Sequence, residues 1–293
     1  MNARYLLGLH PEPETTGIKE ILVKGASRTL AILALLLLAL ALATPTSAGR
    51  LPPAEALPNT NPDGWAATTI GASGLTPPPI VLPPDTNPYG ASYGEWGARW
   101  WQWVFAQPTD RNPLTDQTGA FCAVDQSGPV WFLTGDIATR TCTVPIGKAL
   151  FFPVASEAYV LFPWDPNDTP ELAREITKRD VDTAFAMTVT VDGVSLPILE
   201  TYRVQSPALG SVPETFTVTL PAKNIMDIPA GPYQTVADGY YMMLAPLPAG
   251  THNVRIRAML YAVYPDHSDL YEIDAQYTLM VPSTVVYLPL MSR

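Results

Sequence analysis

The chain has 293 residues, 47% apolar and 15% charged, with 32 prolines and 19 glycines. That balance suits short strands, many turns and a substantial buried core, and it excludes disorder of the whole chain. The formal net charge of −10 leaves no basic patch to neutralise phosphates, so a nucleic-acid partner is set aside.

In chain order, the first feature is an export signal. Residues 29–43, TLAILALLLLALALA, follow Lys24 and Arg28 and precede TPTSAGR, which gives a basic region, an apolar run and a small-residue cleavage site before Gly49. The run is too short for a comfortable membrane span, which needs about 20 residues; a retained N-terminal anchor is the competing reading. Residues 1–22 carry His10 and the acids Glu12, Glu14 and Glu20, an unusual start for such a signal. They read as a start-site extension, with the signal peptide over 23–48. The first 48 residues hold four Lys/Arg and three acids, so 13 basic and 24 acidic residues remain after cleavage.

Residues 49–90 contain ten prolines and read as an extended linker or strap. Within them Ile80-Val81-Leu82 is a candidate edge strand that Pro83-Pro84 ends at once. Next comes SYGEWGARWWQWVFAQP, with four tryptophans in eight residues. Ser92 and Glu95 fit a capping box, so a helix is expected from Tyr93 to just before Pro108. At 100° per residue Tyr93, Trp96, Trp100, Trp103 and Val104 form one stripe that faces a core. Trp101 falls on its shoulder, where a half-exposed ring would stack on a sugar or a partner protein. Glu95 and Arg99 are spaced as a helix ion pair.

Strands are expected in PVWFLTG (129–135) and KALFFPV (148–154). Cys122 and Cys142 are the only two cysteines; in an exported chain an even count points to a disulfide, and their spacing does not suit a metal or redox pair. Thr169-Pro170-Glu171 signals the start of a second, short amphipathic helix with Leu172 and Ile176 on its apolar side. From residue 186 the period changes to two. MTVTVDGVSLPI turns at Asp192-Gly193, and ETFTVTL, GYYMMLAPL, THNVRIRAMLYAVY, YEIDAQYTLMV and TVVYLPL follow as strands. The predicted fold is mainly β: an antiparallel β-sandwich, Ig-like or jelly-roll, over residues 91–281, with one Trp-rich helix and one short amphipathic helix. Residues 282–293 read as a last edge strand or an interaction tail.

The segments YGEWGARWWQWVFAQP, NPLTDQTGAFC, QSGPVWFLTG, RTCTVPIGKALFFPV and DGYYMMLAPLPAGTHNVRI resemble an uncharacterised family of exported bacterial proteins. The resemblance implies export and brings no activity or catalytic residue with it.

Motifs for a nucleophile elbow, a zinc protease, a P-loop or a dinucleotide site are not in the sequence. Glu95, Asp116 and Glu157 are the carboxylates considered as an acid–base set, which a hydrolase would bring within about 5–10 Å. Asp165, Asn167, Asp168 and Glu171 offer oxygen ligands, but two prolines and a missing glycine depart from a calcium loop. Asp266, His267 and Asp269 mark a hairpin tip. No metal and no cofactor is expected. The sequence therefore favours a secreted or envelope-associated, non-enzymatic module for a glycan or a surface protein, with no stable membrane span after cleavage. A carboxylate-dependent hydrolase acting on a polysaccharide is the alternative.

Overall fold

In a computed structural model of the chain, residues 80–198, 200–262 and 269–283 are described. The start-site extension, the signal peptide, most of the strap, Asp266, His267 and the final TVVYLPL run lie outside them. The described part is mainly β, with two five-stranded sheets and two α-helices. The first sheet runs β1 (Val130–Phe132), β3 (Ala149–Val160), β8 (Gly231–Leu244) and β6 (Arg203–Ser206), with β7 (Phe216–Leu220) pairing β8 ahead of β6. The second runs β2 (Ile137–Thr143), β10 (Asp269–Val281), β9 (Gly250–Ala262), β4 (Phe185–Val191) and β5 (Val194–Leu196).

The sheets are mixed, which corrects the purely antiparallel sandwich expected from the hairpin signals. β1 with β3, and β10 with β2, are parallel pairs. After β1 the chain crosses to the second sheet for β2 and returns for β3, so β3 re-enters the first sheet running in the direction of β1.

Helix α1 (Tyr93–Phe105) begins where the capping box puts it. The Ser92 hydroxyl accepts the Glu95 N–H at 3.2 Å, and the Glu95 carboxylate accepts the Ser92 N–H at 2.7 Å. The helix lies on the outer face of the first sheet in one apolar cluster with Phe151, Val218, Tyr241 and Met243. It lies close: a Cβ on Gly97 would sit 2.6 Å from Ser206 Oγ and 3.2 Å from the Tyr241 ring. Burying four indoles requires a partner for each N–H, and each has one. Trp96 donates to Pro88 O, Trp100 to Leu133 O, Trp101 to the Tyr241 hydroxyl and Trp103 to Val124 O, at 2.8–3.0 Å.

The second cluster fills the space between the sheets, with Leu150, Phe152, Met242 and Leu244 facing Val189, Val254, Ile256 and Leu279. The first sheet is thus covered on both faces, and its long strands read as continuous apolar runs. The second is covered on one, and it alternates. Val254, Ile256 and Ala258 are buried while Asn253, Arg255 and Arg257 are exposed, as expected. The strap docks as the edge element predicted for it: Leu82 N–H donates to Met243 O at 2.8 Å, and Val81 bridges Leu244.

Helix α2 (Pro170–Asp182) is capped by Thr169, whose hydroxyl accepts the Leu172 N–H. It packs Ala173 and Ile176 against Tyr159, Leu161 and Val236. Leu172, assigned to the apolar side from sequence, is exposed instead; Ala173 takes its place, because i and i+3 meet on the buried face.

Cys122 and Cys142 form a disulfide with Cα atoms 5.8 Å apart. It ties the 113–128 loops to β2. Closing a loop of 20 residues should contribute about 3 kcal/mol, so replacing both cysteines by alanine is expected to lower the unfolding free energy by that amount in urea titrations. An unchanged midpoint would show that the bridge is not needed.

Candidate functional site

The residues singled out from sequence do not converge. Trp101, expected at a boundary with a half-exposed ring, is only 3% exposed. Its ring stacks on Phe105 and meets Trp100 edge-on at 4.8 Å. The helix lies close enough to the sheet for its shoulder to be covered too, so Trp101 presents no face to a ligand. Glu95 is spent on the capping box, whose backbone and hydroxyl hydrogen bonds lower its pKa, and Arg99 lies 4.5 Å over the Trp96 ring. Asp116 organises a turn by accepting N–H groups from Thr118, Gly119 and Phe121 at 2.8–3.0 Å. Burial raises its pKa, but these bonds outweigh it and leave the group below its ordinary value. In the DPNDTPE segment, Asp165 accepts the Asn167 N–H and Asp168 the Phe162 N–H. This is a turn leading into a capped helix. No group of three or more His, Cys, Asp or Glu among the described residues is arranged to hold a metal ion.

Glu157 stands apart. It lies on β3 directly opposite Asp238 of β8, and Asp180 of α2 bears on it. All three are buried. Burial first, and Asp180 next, push Glu157 well above the ordinary carboxylate range, and its Oε1 is buried without a hydrogen-bond partner. Arg203 of β6 neutralises the neighbours. Its Nε lies 3.0 Å from Asp238 Oδ1, its Nη1 is 2.6 Å from Asp182 Oδ1, and its Nη2 donates to Lys178 O. The three carboxyls are only 2–6% exposed, which marks a charge cluster inside the fold.

The open chemistry lies on the outer face of the second sheet. Register places four strands' outward residues in rows: Thr188, Arg257, Asp274 and Ile137, then Thr190, Arg255, Gln276 and Thr139, then Asn253, Thr278 and Thr141. A shallow groove of about 260 Å³ crosses this face between Thr139, Thr190, Asn253, Arg255, Gln276 and Thr278. The one charged residue lining the groove, Arg255, is paired with Asp274 through two bonds of 2.7 and 2.6 Å, and Arg257, outside the lining, adds a contact to the same carboxylate at 3.6 Å. The polar groups that remain are hydroxyls and amides.

One end of the face is aromatic. Phe185 and Tyr261 are 41% and 40% exposed and stack with centroids 5.8 Å apart and rings inclined by 17°; Leu270 lies opposite Tyr261. A bulge puts Phe185 there. The β4–β9 register shifts between Phe185 and Thr188, and Ala186 takes φ 52°. The extra residue brings both Phe185 and Thr188 onto the outward face. From Tyr261 to Asn253 is eight residues of strand, about 26 Å.

Sequence reading did not single out this site. The alternation in NVRIRAML marks the outward face, but neither the bulge nor the cross-strand neighbours can be read from it. A second exposed aromatic was missed as well: Trp164, 60% exposed, stacks on Phe162 at 5.2 Å and meets Tyr233 edge-on, on the first sheet.

No protein-family profile matches the chain, and no curated protein does. Among solved structures, weakly similar ones include the following two. The solution structure of amebosin is 8% identical with a TM-score of 0.16, covering 53% of this chain and 100% of that one. The structure of PbICP-C in complex with falcipain-2 is 12% identical with a TM-score of 0.18, covering 53% and 99%. At these scores neither likeness carries an argument about fold or activity. Among the described residues no helix is long and apolar enough to cross a membrane.

Proposed function

We propose that this chain is an exported, non-catalytic β-sandwich module that binds a neutral, hydroxyl-rich glycan along the outer face of its second sheet. The observation that carries the reading is the pairing, on one rigid face, of the exposed Phe185–Tyr261 stack with the groove of hydroxyls and amides. Sugars offer aliphatic ring faces to aromatic side chains and hydroxyls to Thr, Asn and Gln, and the groove's charges are already paired. Its volume lies just under the usual 300–1,000 Å³ of small-molecule pockets, the scale of a sugar ring held at one point along a longer chain. The signal-like residues 23–48 and the resemblance to exported bacterial proteins support the location, as does the disulfide. The carboxylate hydrolase is the weaker reading, since Glu95, Asp116 and Glu157 are engaged in three separate places.

A glycan-array screen of the mature chain tests this reading. Binding to neutral oligosaccharides is expected, and Tyr261→Ala and Phe185→Ala should each weaken it by tenfold or more, about 1.4 kcal/mol. Trp164→Ala should leave it unchanged. Binding that follows Trp164 and ignores Tyr261 would move the site to the first sheet, and an array with no neutral ligand would contradict the proposal.

A further inference from the structure

Beneath the groove, on the inward side of β9, lies His252. It is 4% exposed and directly precedes Asn253, which lines the groove with Thr190 and Gly193. Both nitrogens of its ring are engaged: Nδ1 lies 2.7 Å from Asp192 Oδ2, and Nε2 lies 2.9 Å from the Pro248 carbonyl oxygen. Asp192 heads the β4–β5 turn, with φ 50° before Gly193 at 79°, and it holds Asn253 twice. Its N–H donates to Asn253 O and its Oδ1 accepts the Asn253 N–H, both at 2.8 Å. One carboxylate thus joins the ring, the turn and the strand at the end of the groove.

A carboxylate and a carbonyl oxygen can only accept hydrogen bonds. Imidazolium, with an N–H on each nitrogen, donates to both, whereas neutral imidazole turns a lone pair toward one of them. The elements packed around the ring bring one charge to it. The β4–β5 turn supplies Asp192. β10 places Leu279 opposite His252, and β2 places Cys142, held in the disulfide, beyond it. The connection 245–249 from β8 supplies the Pro248 carbonyl and contains no charged residue. The cations of β9 itself, Arg255 and Arg257, stand on the outward face and share Asp274.

We infer that His252 is a proton-operated clamp on the glycan groove: as imidazolium it fixes the Asp192-Gly193 turn and Asn253 at one end, and loss of a ring proton loosens that end. The step moves one proton from the ring to water and breaks no bond between heavy atoms. If the proton leaves Nδ1, Asp192 loses its donor. If it leaves Nε2, the bond to Asp192 loses its charge and the Pro248 carbonyl faces a lone pair. In both cases the turn is held less firmly. Histidine is the side chain that changes charge between about pH 5 and 8, so the clamp is closed on the acid side of that window and open on the alkaline side. This regulation rests on the outer-face reading of the site.

The test is amide hydrogen exchange read by NMR on residues 49–293 with no ligand added, at about pH 5 and about pH 8, each rate being divided by that of an unstructured peptide at the same pH. In the wild type the protection of the Asp192 and Asn253 amides should fall about tenfold from the lower to the higher pH, since a charge-assisted hydrogen bond is roughly twice as strong as a neutral one. Thr188 and Arg257, paired in the same ladder, should keep theirs. Ring nitrogen shifts at the lower pH should show both N–H groups. In His252→Gln the two amides should be insensitive to pH. Asp192→Asn, which keeps a turn-forming Asn-Gly pair, should be insensitive too, because its amide can donate to the lone pair of a neutral ring; it serves if the first variant does not fold. A neutral ring at the lower pH would overturn the clamp, as would unchanged protection in the wild type, a fall that persists in His252→Gln, or loss of protection along the whole ladder. Because no ligand is present, such a failure leaves the binding reading to its own test. A working clamp on a face that binds no glycan would break that reading alone.

Discussion

Replacing Arg203 by methionine should destabilise the fold by about 3–5 kcal/mol, a loss large enough to threaten folding altogether. Asp238 is 2% exposed and lies opposite Glu157, and Arg203 reaches both of its oxygens, at 3.0 and 3.3 Å. Methionine keeps much of the side-chain volume and removes the charge, so it leaves an uncompensated carboxylate beside two other buried carboxyls. It also breaks the link from β6 to Asp182 and to Lys178 O at the end of α2. Adding Asp238→Asn to the Arg203→Met chain should restore a large part of the loss, since the double variant no longer buries that charge. Urea titrations of the two single variants and the double variant check this. A loss below about 1 kcal/mol for Arg203→Met would class the contact with ordinary surface ion pairs.

Trp100→Ala is expected to cost about 3–5 kcal/mol, the range for truncating a buried aromatic. Trp100 is almost fully buried between Trp101 and Trp103, and its removal opens a void where α1 meets the first sheet. It also leaves the Leu133 carbonyl, which accepts the indole N–H at 2.8 Å, without that donor. Trp100→Phe should recover part of the packing and none of the hydrogen bond, and so fall between the wild type and Trp100→Ala. Equal losses for the two variants would mean that the cavity is negligible and the hydrogen bond alone decides.

Local signals in the sequence carried a long way. The capping box, the Asp192-Gly193 turn at φ 50° and 79°, the Thr169-Pro170 helix start and the alternation in β9 are all properties of short stretches, and the structure has each of them where the residues put it. Elements defined by partners far along the chain were harder to read. β2 was missed because its inward residues are Ala138, Arg140 and Cys142, with Arg140 satisfied by carbonyl oxygens of Asp116 and Leu114 and by the Tyr277 hydroxyl, so its alternation does not read as apolar against polar. The four residues of β6 carry too little pattern to mark a strand. The first half of β8, GPYQTVAD, alternates only as far as Thr235, with Pro232 and Gln234 exposed, and is buried on both sides from Val236 on, so no single pattern marks it.

The same division holds for the candidate site. That Trp96, Trp100 and Trp103 point inward follows from helical spacing; that Trp101 does too depends on how closely α1 approaches the sheet, which Gly97 permits. Glu157 was noticed only as one carboxylate among several. Its pairing with Asp238 is a matter of cross-strand register and its nearness to Asp180 a matter of how α2 docks, and neither leaves a trace in the local sequence. Phe185 reaches the outer face through a bulge, a one-residue irregularity that reverses which side a residue occupies.

The most direct test is to map the bound ligand: chemical-shift perturbation of residues 49–293 by a neutral oligosaccharide taken from the array screen. Changes are expected only on the outer face of the second sheet, at Thr139, Thr190, Asn253, Gln276 and Thr278 and around Phe185 and Tyr261, with Trp164 and the α1 residues unmoved. Perturbations centred on Trp164, or on the buried cluster of Glu157, Asp180 and Asp238 with the outer face silent, would contradict the proposed site.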